Sequence, residues 1–178
     1  MKRIVLTFGL ISGAIMAVLM LATVPFMDRI GFDRSLILGY TSMVLAFLLV
    51  FFGIRSYREN VGNGYISFGR AVSVGFLIML ISCVCYVVAW EIVSFNFLPD
   101  FAEKYTNHII EKARASGASA EQISQQVEEM KKFKAMYDNP FIRAALTFLE
   151  PLPVGIIMTL ISALILRKRQ TGLQELPD

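Results

Sequence analysis

The sequence predicts an all-α integral membrane protein: a four-helix bundle with an extracytoplasmic helical hairpin between helices three and four. Three observations carry this expectation. Four apolar stretches, at about residues 4–27, 35–54, 71–98 and 144–166, each match the roughly 20 residues a helix needs to cross a bilayer core. The composition is 56% hydrophobic with a mean hydropathy of +0.60, far from that of soluble or disordered chains. Only one connecting segment, about residues 99–140, is long enough to hold structure outside the membrane. In lipid every backbone donor and acceptor must be bonded within its own segment, so the stretches are helices rather than strands. The chain reads as one membrane domain with one insertion.

The first stretch follows Lys2 and Arg3. Its apolar core is longer than that of a secretory signal, and no small-x-small cleavage site precedes Pro25, so an uncleaved first helix is expected. Gly9, Gly13 and Ala17 recur every four residues along it. Such a ridge lets a neighbouring backbone approach closely, within the chain in preference to a dimer face. The loop from Asp28 to Arg34 is short, so the first two helices are antiparallel neighbours. Ser35, or Asp33 before it, is the expected N-cap of the second helix.

The next loop, from Arg55 to Arg70, contains Gly62-Asn63-Gly64, a tight turn that uses positive φ. Tyr65, Ile66 and Phe68 then approach the third helix with rings suited to the headgroup layer. The glycines lack dinucleotide-fingerprint spacing, and no βαβ unit surrounds them. Cys83 and Cys85 lie within the third helix. Two residues apart, they point to different faces, so they read as small apolar side chains rather than a disulfide or a metal site.

The insertion begins at Pro99-Asp100 with a helix carrying Phe101, Tyr105 and Ile109 on one face. Gly117 ends it. Ser119 and Gln122 have capping-box spacing and start a second helix, striped by Ile123, Val127, Met130 and Tyr137 and interrupted by Lys134. The hairpin's apolar faces are narrow, suited to packing on itself, on the membrane surface or on a partner. His108, the sole histidine, reads as a surface residue beside the apolar face. Asn139-Pro140 is an N-cap followed by proline at the first helical position, which leads into the fourth span. There Gly155, Thr159 and Ala163 form a looser small-residue ridge.

Charge sets the expected orientation. Lys2, Arg3, Arg55, Arg58, Arg70, Arg167, Lys168 and Arg169 flank helix ends on one side, whereas the segment from Asp100 to Arg143 carries seven basic and seven acidic residues and is neutral. Basic residues next to spans are retained inside, so both termini are expected in the cytoplasm and the hairpin outside a bacterial inner membrane. The basic tail reads as a headgroup anchor, and no nucleic-acid partner is expected.

Ionisable residues inside spans are functional candidates by default. Glu91 lies about 31 Å of helix beyond Arg70, and Glu150 about 26 Å before Arg167, so both carboxylates lie at similar depth toward the hairpin end. Arg143, Thr147 and Glu150 share one helical face; Trp90, Glu91 and Ser94 gather on the third helix, with Tyr86 a turn away. Pro151 and Pro153 predict a kink at Leu149–Leu152. Two readings of the Glu91, Glu150, Arg143, Thr147, Trp90 and Ser94 cluster stand open. Either the carboxylates are paired with Arg143 or Arg29, or solvated, for structural reasons, or they face a polar cavity and act on a proton, a cation or a ligand. HExxH, CxxC, GxSxG and P-loop motifs are absent from the sequence, which names no catalytic residue, metal ligand or cofactor.

The opening Lys2-Arg3 and first span, the run from Gly64 to Ala71, Trp90-Glu91, Pro99-Asp100-Phe101 and a last span closed by basic residues occur here in order. In that order the chain resembles a family of short, four-span bacterial inner-membrane proteins, common in Bacteroidetes-type bacteria and described as a domain of unknown function. The resemblance covers essentially the whole length. It implies fold and membrane location but no activity or site residue. The expected function is a non-enzymatic accessory, scaffold or regulatory protein of the lipid bilayer, acting with a membrane-protein partner or as a homo-oligomer. The alternative is a small oligomeric transporter or ion-coupled carrier using Glu91 and Glu150.

Overall fold

The structure, a computed structural model, describes residues 1–168; Arg169, the last of the flanking basic residues, lies outside the described residues. Helix α1 (Lys2–Thr23) runs into a 3-10 turn at Val24–Phe26 and a short α2 (Met27–Ile30). Then come α3 (Phe32–Asn60), α4 (Phe68–Asn96), α5 (Phe101–Ala115), α6 (Ala120–Tyr137), α7 (Pro140–Leu149) and α8 (Leu152–Leu166). Four segments are long and apolar enough to cross a membrane: Lys2–Phe26, Phe32–Asn60, Phe68–Asn96 and Pro140–Leu166.

Several expected limits shift, each for a local reason. The second span begins at Phe32, with Gly31 rather than Ser35 or Asp33 as its N-cap. Gly31 takes φ +84, which lets the chain turn directly from α2 into α3, and Ser35 Oγ instead donates back to the Gly31 carbonyl at 2.8 Å. At its far end α3 continues past Ile54 to Asn60, because Arg55 and Glu59 pair one turn apart at 2.9 Å. The fourth span begins at Pro140 instead of residue 144, capped by Asn139 Oδ1, which accepts from the N–H of Phe141 at 3.0 Å. Its expected kink lies between α7 and α8. Neither Pro151 nor Pro153 can donate to the carbonyl four residues back, so the helix breaks at Glu150–Pro151.

Helix α1 packs on α3 and α4, and α8 packs on the same two helices from the other side. Small residues set these approaches. A Cβ at Gly9 would meet Ile81, and one at Gly13 would strike Cys85, so the first-helix ridge seats α1 directly on α4. Gly155 faces Met79, and Thr159 faces Gly75, so the last-helix ridge also packs within the chain. Buried serines reinforce the seams: Ser12 Oγ donates to the Ala46 carbonyl at 3.0 Å, and Ser82 Oγ lies 3.2 Å from the Gly9 carbonyl. Phe47, Val50, Ile54, Ile78 and Met79 fill the centre, whereas Leu10, Val18, Ile37, Leu45, Val84 and Ile165 are exposed around the outside, as lipid-facing residues must be.

At the end of the bundle nearest the termini, Ile66 and Lys168 exchange both backbone hydrogen bonds at 3.0 Å. Arg58 Nη1 donates to the Leu166 carbonyl at 3.3 Å, and Lys168 lies over the Tyr65 ring at 5.5 Å. The turn residues Tyr65 and Ile66 therefore hold the end of the fourth span.

The hairpin at the other end breaks at Gly117 (φ +79), and Ser119 and Gln122 form the reciprocal capping box. It lies back on the bundle through a continuous set of rings. Phe101 meets Trp90 edge-on at 4.9 Å, and Phe32 lies 6.0 Å from Tyr105 and 5.1 Å from His108. Lys112 Nζ reaches Asp33 Oδ1 at 2.8 Å, with His108 Nε2 3.7 Å from the same oxygen. His108 is therefore partly covered against Phe32 rather than a plain surface residue.

Candidate functional site

Between the hairpin and the bundle lies a cavity of about 350 Å³. Its walls come from every span. Met16 and Met20 of α1, Met27 of α2 and Met43 of α3 contribute thioethers. The third span contributes Tyr86 and Trp90, and α7 contributes Leu146 and Thr147, with Glu150 at the break. Phe101, Tyr105, Phe133 and Tyr137 of the hairpin close it.

The two carboxylates have different environments. Glu91 is held by Arg143 through two hydrogen bonds, Nε to Oε1 at 3.0 Å and Nη2 to Oε2 at 2.6 Å, a side-on bidentate pair that engages both oxygens. This pair ties α4 to α7, and Glu91 does not line the cavity. Glu150 does line it. Its hydrogen bond is from the Tyr86 hydroxyl, at 3.2 Å, and among the described residues it has no salt bridge. Glu150 keeps helical backbone and its N–H bond to the Leu146 carbonyl, so it stays on the Thr147 face of α7, about two turns beyond Arg143, and that face meets Tyr86 and the cavity rather than Glu91.

The remaining candidates divide in the same way. Trp90 lines the cavity and donates from Nε1 to the Tyr137 hydroxyl at 2.7 Å, linking α4 to the hairpin. Thr147 is buried against the cavity. Ser94 is buried, donates to the Glu91 carbonyl at 3.2 Å and lies away from the cavity. Arg29, the other expected partner, does not pair with Glu91; Arg143 does. Arg143 also lies 5.9 Å from the Tyr137 ring, and burial holds the Tyr137 hydroxyl above the ordinary tyrosine range.

Phe32, Phe133 and the methionines were missed by sequence reasoning. Phe133 lies four residues before Tyr137 on the same helical face, a spacing legible in the sequence but outside the stripe from Ile123 through Met130. Phe32 and the methionines carry no such signal, because their role depends on which helices meet. Among the described residues no group of three or more His, Cys, Asp or Glu converges as metal ligands do. Chemically the site offers one carboxylate without a salt bridge among the described residues, several hydroxyls and a wide apolar surface.

Comparison with curated proteins and with solved structures finds no match. A family described as protein of unknown function, DUF4199, matches residues 7–168, from the first span to the end of the fourth. With four helices able to span a membrane and the match covering nearly all of its length, the chain belongs to the DUF4199 family.

Proposed function

We propose that this chain is a non-enzymatic accessory or regulatory membrane protein whose working part is the hairpin-covered cavity, so that occupancy of the cavity and the position of the hairpin are coupled. The observation that carries this reading is the shared wall. The rings that attach the hairpin to the bundle, Phe101, Tyr105 and Tyr137, are the same rings that close the cavity. A molecule entering it must touch them, and a partner that lifts the hairpin must open it. The flanking basic residues favour both termini in the cytoplasm and the hairpin outside a bacterial inner membrane, where a partner protein or a second copy would read its position. A carrier using both carboxylates fits less well, because Arg143 holds Glu91 away from the cavity that Glu150 faces.

Gly39 lines the cavity, and a Cβ there meets nothing within 4 Å, so Gly39→Phe fills the space without striking the backbone. Native mass spectrometry of protein extracted from its own membranes should show a retained small molecule that Gly39→Phe loses. Hydrogen exchange in α5 and α6 should differ between the loaded and stripped forms. No retained molecule, with identical hairpin exchange in both proteins, refutes the reading. For orientation, a cysteine at Ser116 should react with an impermeant maleimide in intact cells while one at Lys2 does not; the reverse pattern would invert the topology.

A further inference from the structure

Resting on that reading of the cavity, we infer that its ligand is an amphiphile carrying one protonated amine, with the ammonium on Glu150 and the apolar tail among the methionines. The first ground is charge. Glu150 presents its carboxylate to a cavity whose other lining residues include no Lys or Arg. The nearest arginine on its helix, Arg143, has both its bonds on Glu91. The one hydrogen bond Glu150 receives comes from the neutral Tyr86 hydroxyl to Oε2, and among the described residues its other oxygen, Oε1, has none. A buried carboxylate is stabilised by a cation that completes the pair, and a ligand is the available source.

The second ground is the aromatic lining. Trp90, Phe101, Tyr105, Phe133 and Tyr137 surround the cavity with π-systems, whose faces attract ammonium groups. A carboxylate among aromatic rings selects organic cations over inorganic ones, because the rings stabilise a poorly hydrated cation and do not replace the water shell of a small metal ion. The third ground is the opposite wall. Met16, Met20, Met27 and Met43 give it unbranched, polarizable side chains that repack around tails of different shape. A volume of about 350 Å³ falls within the range of sites that bury small organic ligands. An anionic amphiphile would meet Glu150 with like charge, and a neutral one would leave its carboxylate uncompensated.

Trp90 is the only tryptophan of the chain and lines the cavity, so its fluorescence reports occupancy. The protein in phosphatidylcholine nanodiscs would be titrated with three heavy-atom quenchers sharing one tail: a bromoalkylamine, the matching bromoalkanol and the matching bromoalkanoate. Saturable quenching by the amine at a concentration at least tenfold below that of the alkanol, with the alkanoate weaker still, is expected. Glu150→Gln should remove the preference for amine over alkanol. Saturable quenching by the alkanol equal to that by the amine would overturn the ammonium assignment and leave the cavity reading intact. Only linear, unsaturable quenching by all three, as from partitioning into lipid, would overturn both. The comparison of amine with alkanol is made on the unaltered protein, so it decides the assignment even if Glu150→Gln fails to fold.

Discussion

Neutralising the two intramembrane glutamates should have opposite consequences for stability. In Glu91→Gln the carboxylate that receives Arg143 Nε at 3.0 Å and Nη2 at 2.6 Å is replaced by an amide with one acceptor oxygen. One charge-assisted hydrogen bond is lost, and the guanidinium is left without a counter-charge. The side chains are 18% and 29% exposed, so the pair lies between an exposed one, worth about 0.2–1 kcal/mol, and a buried one, whose breaking costs about 3–5 kcal/mol. A loss of about 2 kcal/mol follows, or about 4–8 °C in Tm for a chain of this length. Glu150→Gln removes no ion pair, and the amide oxygen still accepts from the Tyr86 hydroxyl. Its stability should change by less than about 1 kcal/mol, with the sign favouring the variant, because an ionisable group leaves an apolar cavity. Thermal unfolding in detergent, followed by ellipticity, measures both. The double variant Glu91→Gln/Arg143→Gln should lose less than the sum of its single changes, since neither partner is then left alone. Equal losses at Glu91 and Glu150, or a larger loss at Glu150, would refute the division of roles.

Gly13→Leu should destabilise the α1–α4 seam by at least about 1–3 kcal/mol, because even its Cβ strikes Cys85, whereas Gly39→Ala enters open space and should be nearly silent in the same unfolding assay. Asp33→Asn should speed hydrogen exchange in α5 while leaving Tm almost unchanged, since the Lys112 pair it weakens is exposed and screened by solvent; unchanged α5 exchange would show that the rings alone seat the hairpin. Tyr137 gives a pH dependence of definite sign. Burial raises its folded-state pKa above the unfolded value of about 10, so its contribution is complete below that pH and is lost as pH rises beyond it. Trp90 emission should shift above about pH 10 as the hairpin loosens, and an identical alkaline shift in Tyr137→Phe would assign it to another group.

The ammonium-binding proposal and the hairpin proposal meet at Trp90, which touches Phe101, donates to Tyr137 and lines the cavity. Ligand contact with this side chain would act on the same bonds that hold the hairpin down. That is a direct physical route from occupancy to hairpin position, needing no long-range rearrangement of the four spans.

The sequence by itself determined the all-α class, the four spans, the hairpin broken at Gly117, the capping box at Ser119 and the proline break after Leu149. Each rests on hydrophobic run length, helical period or backbone chemistry confined to a few neighbouring residues. Counting along straight helices put Glu91 and Glu150 at similar depth, but in the structure Glu91 meets Arg143 and Glu150 meets Tyr86, more than a turn apart on each helix. Rotation about the helix axes and the angle between helices are set by packing, and only the tertiary structure decided them. Gly9 and Gly13 seat α1 on α4, and the packing of α7 on α4 gives Arg143 to Glu91 and Glu150 to Tyr86. The cavity arises from the same cause. Met16, Met43, Trp90, Glu150 and Phe133 lie far apart in the chain, and their convergence exists only once five helices and a folded-back hairpin have met.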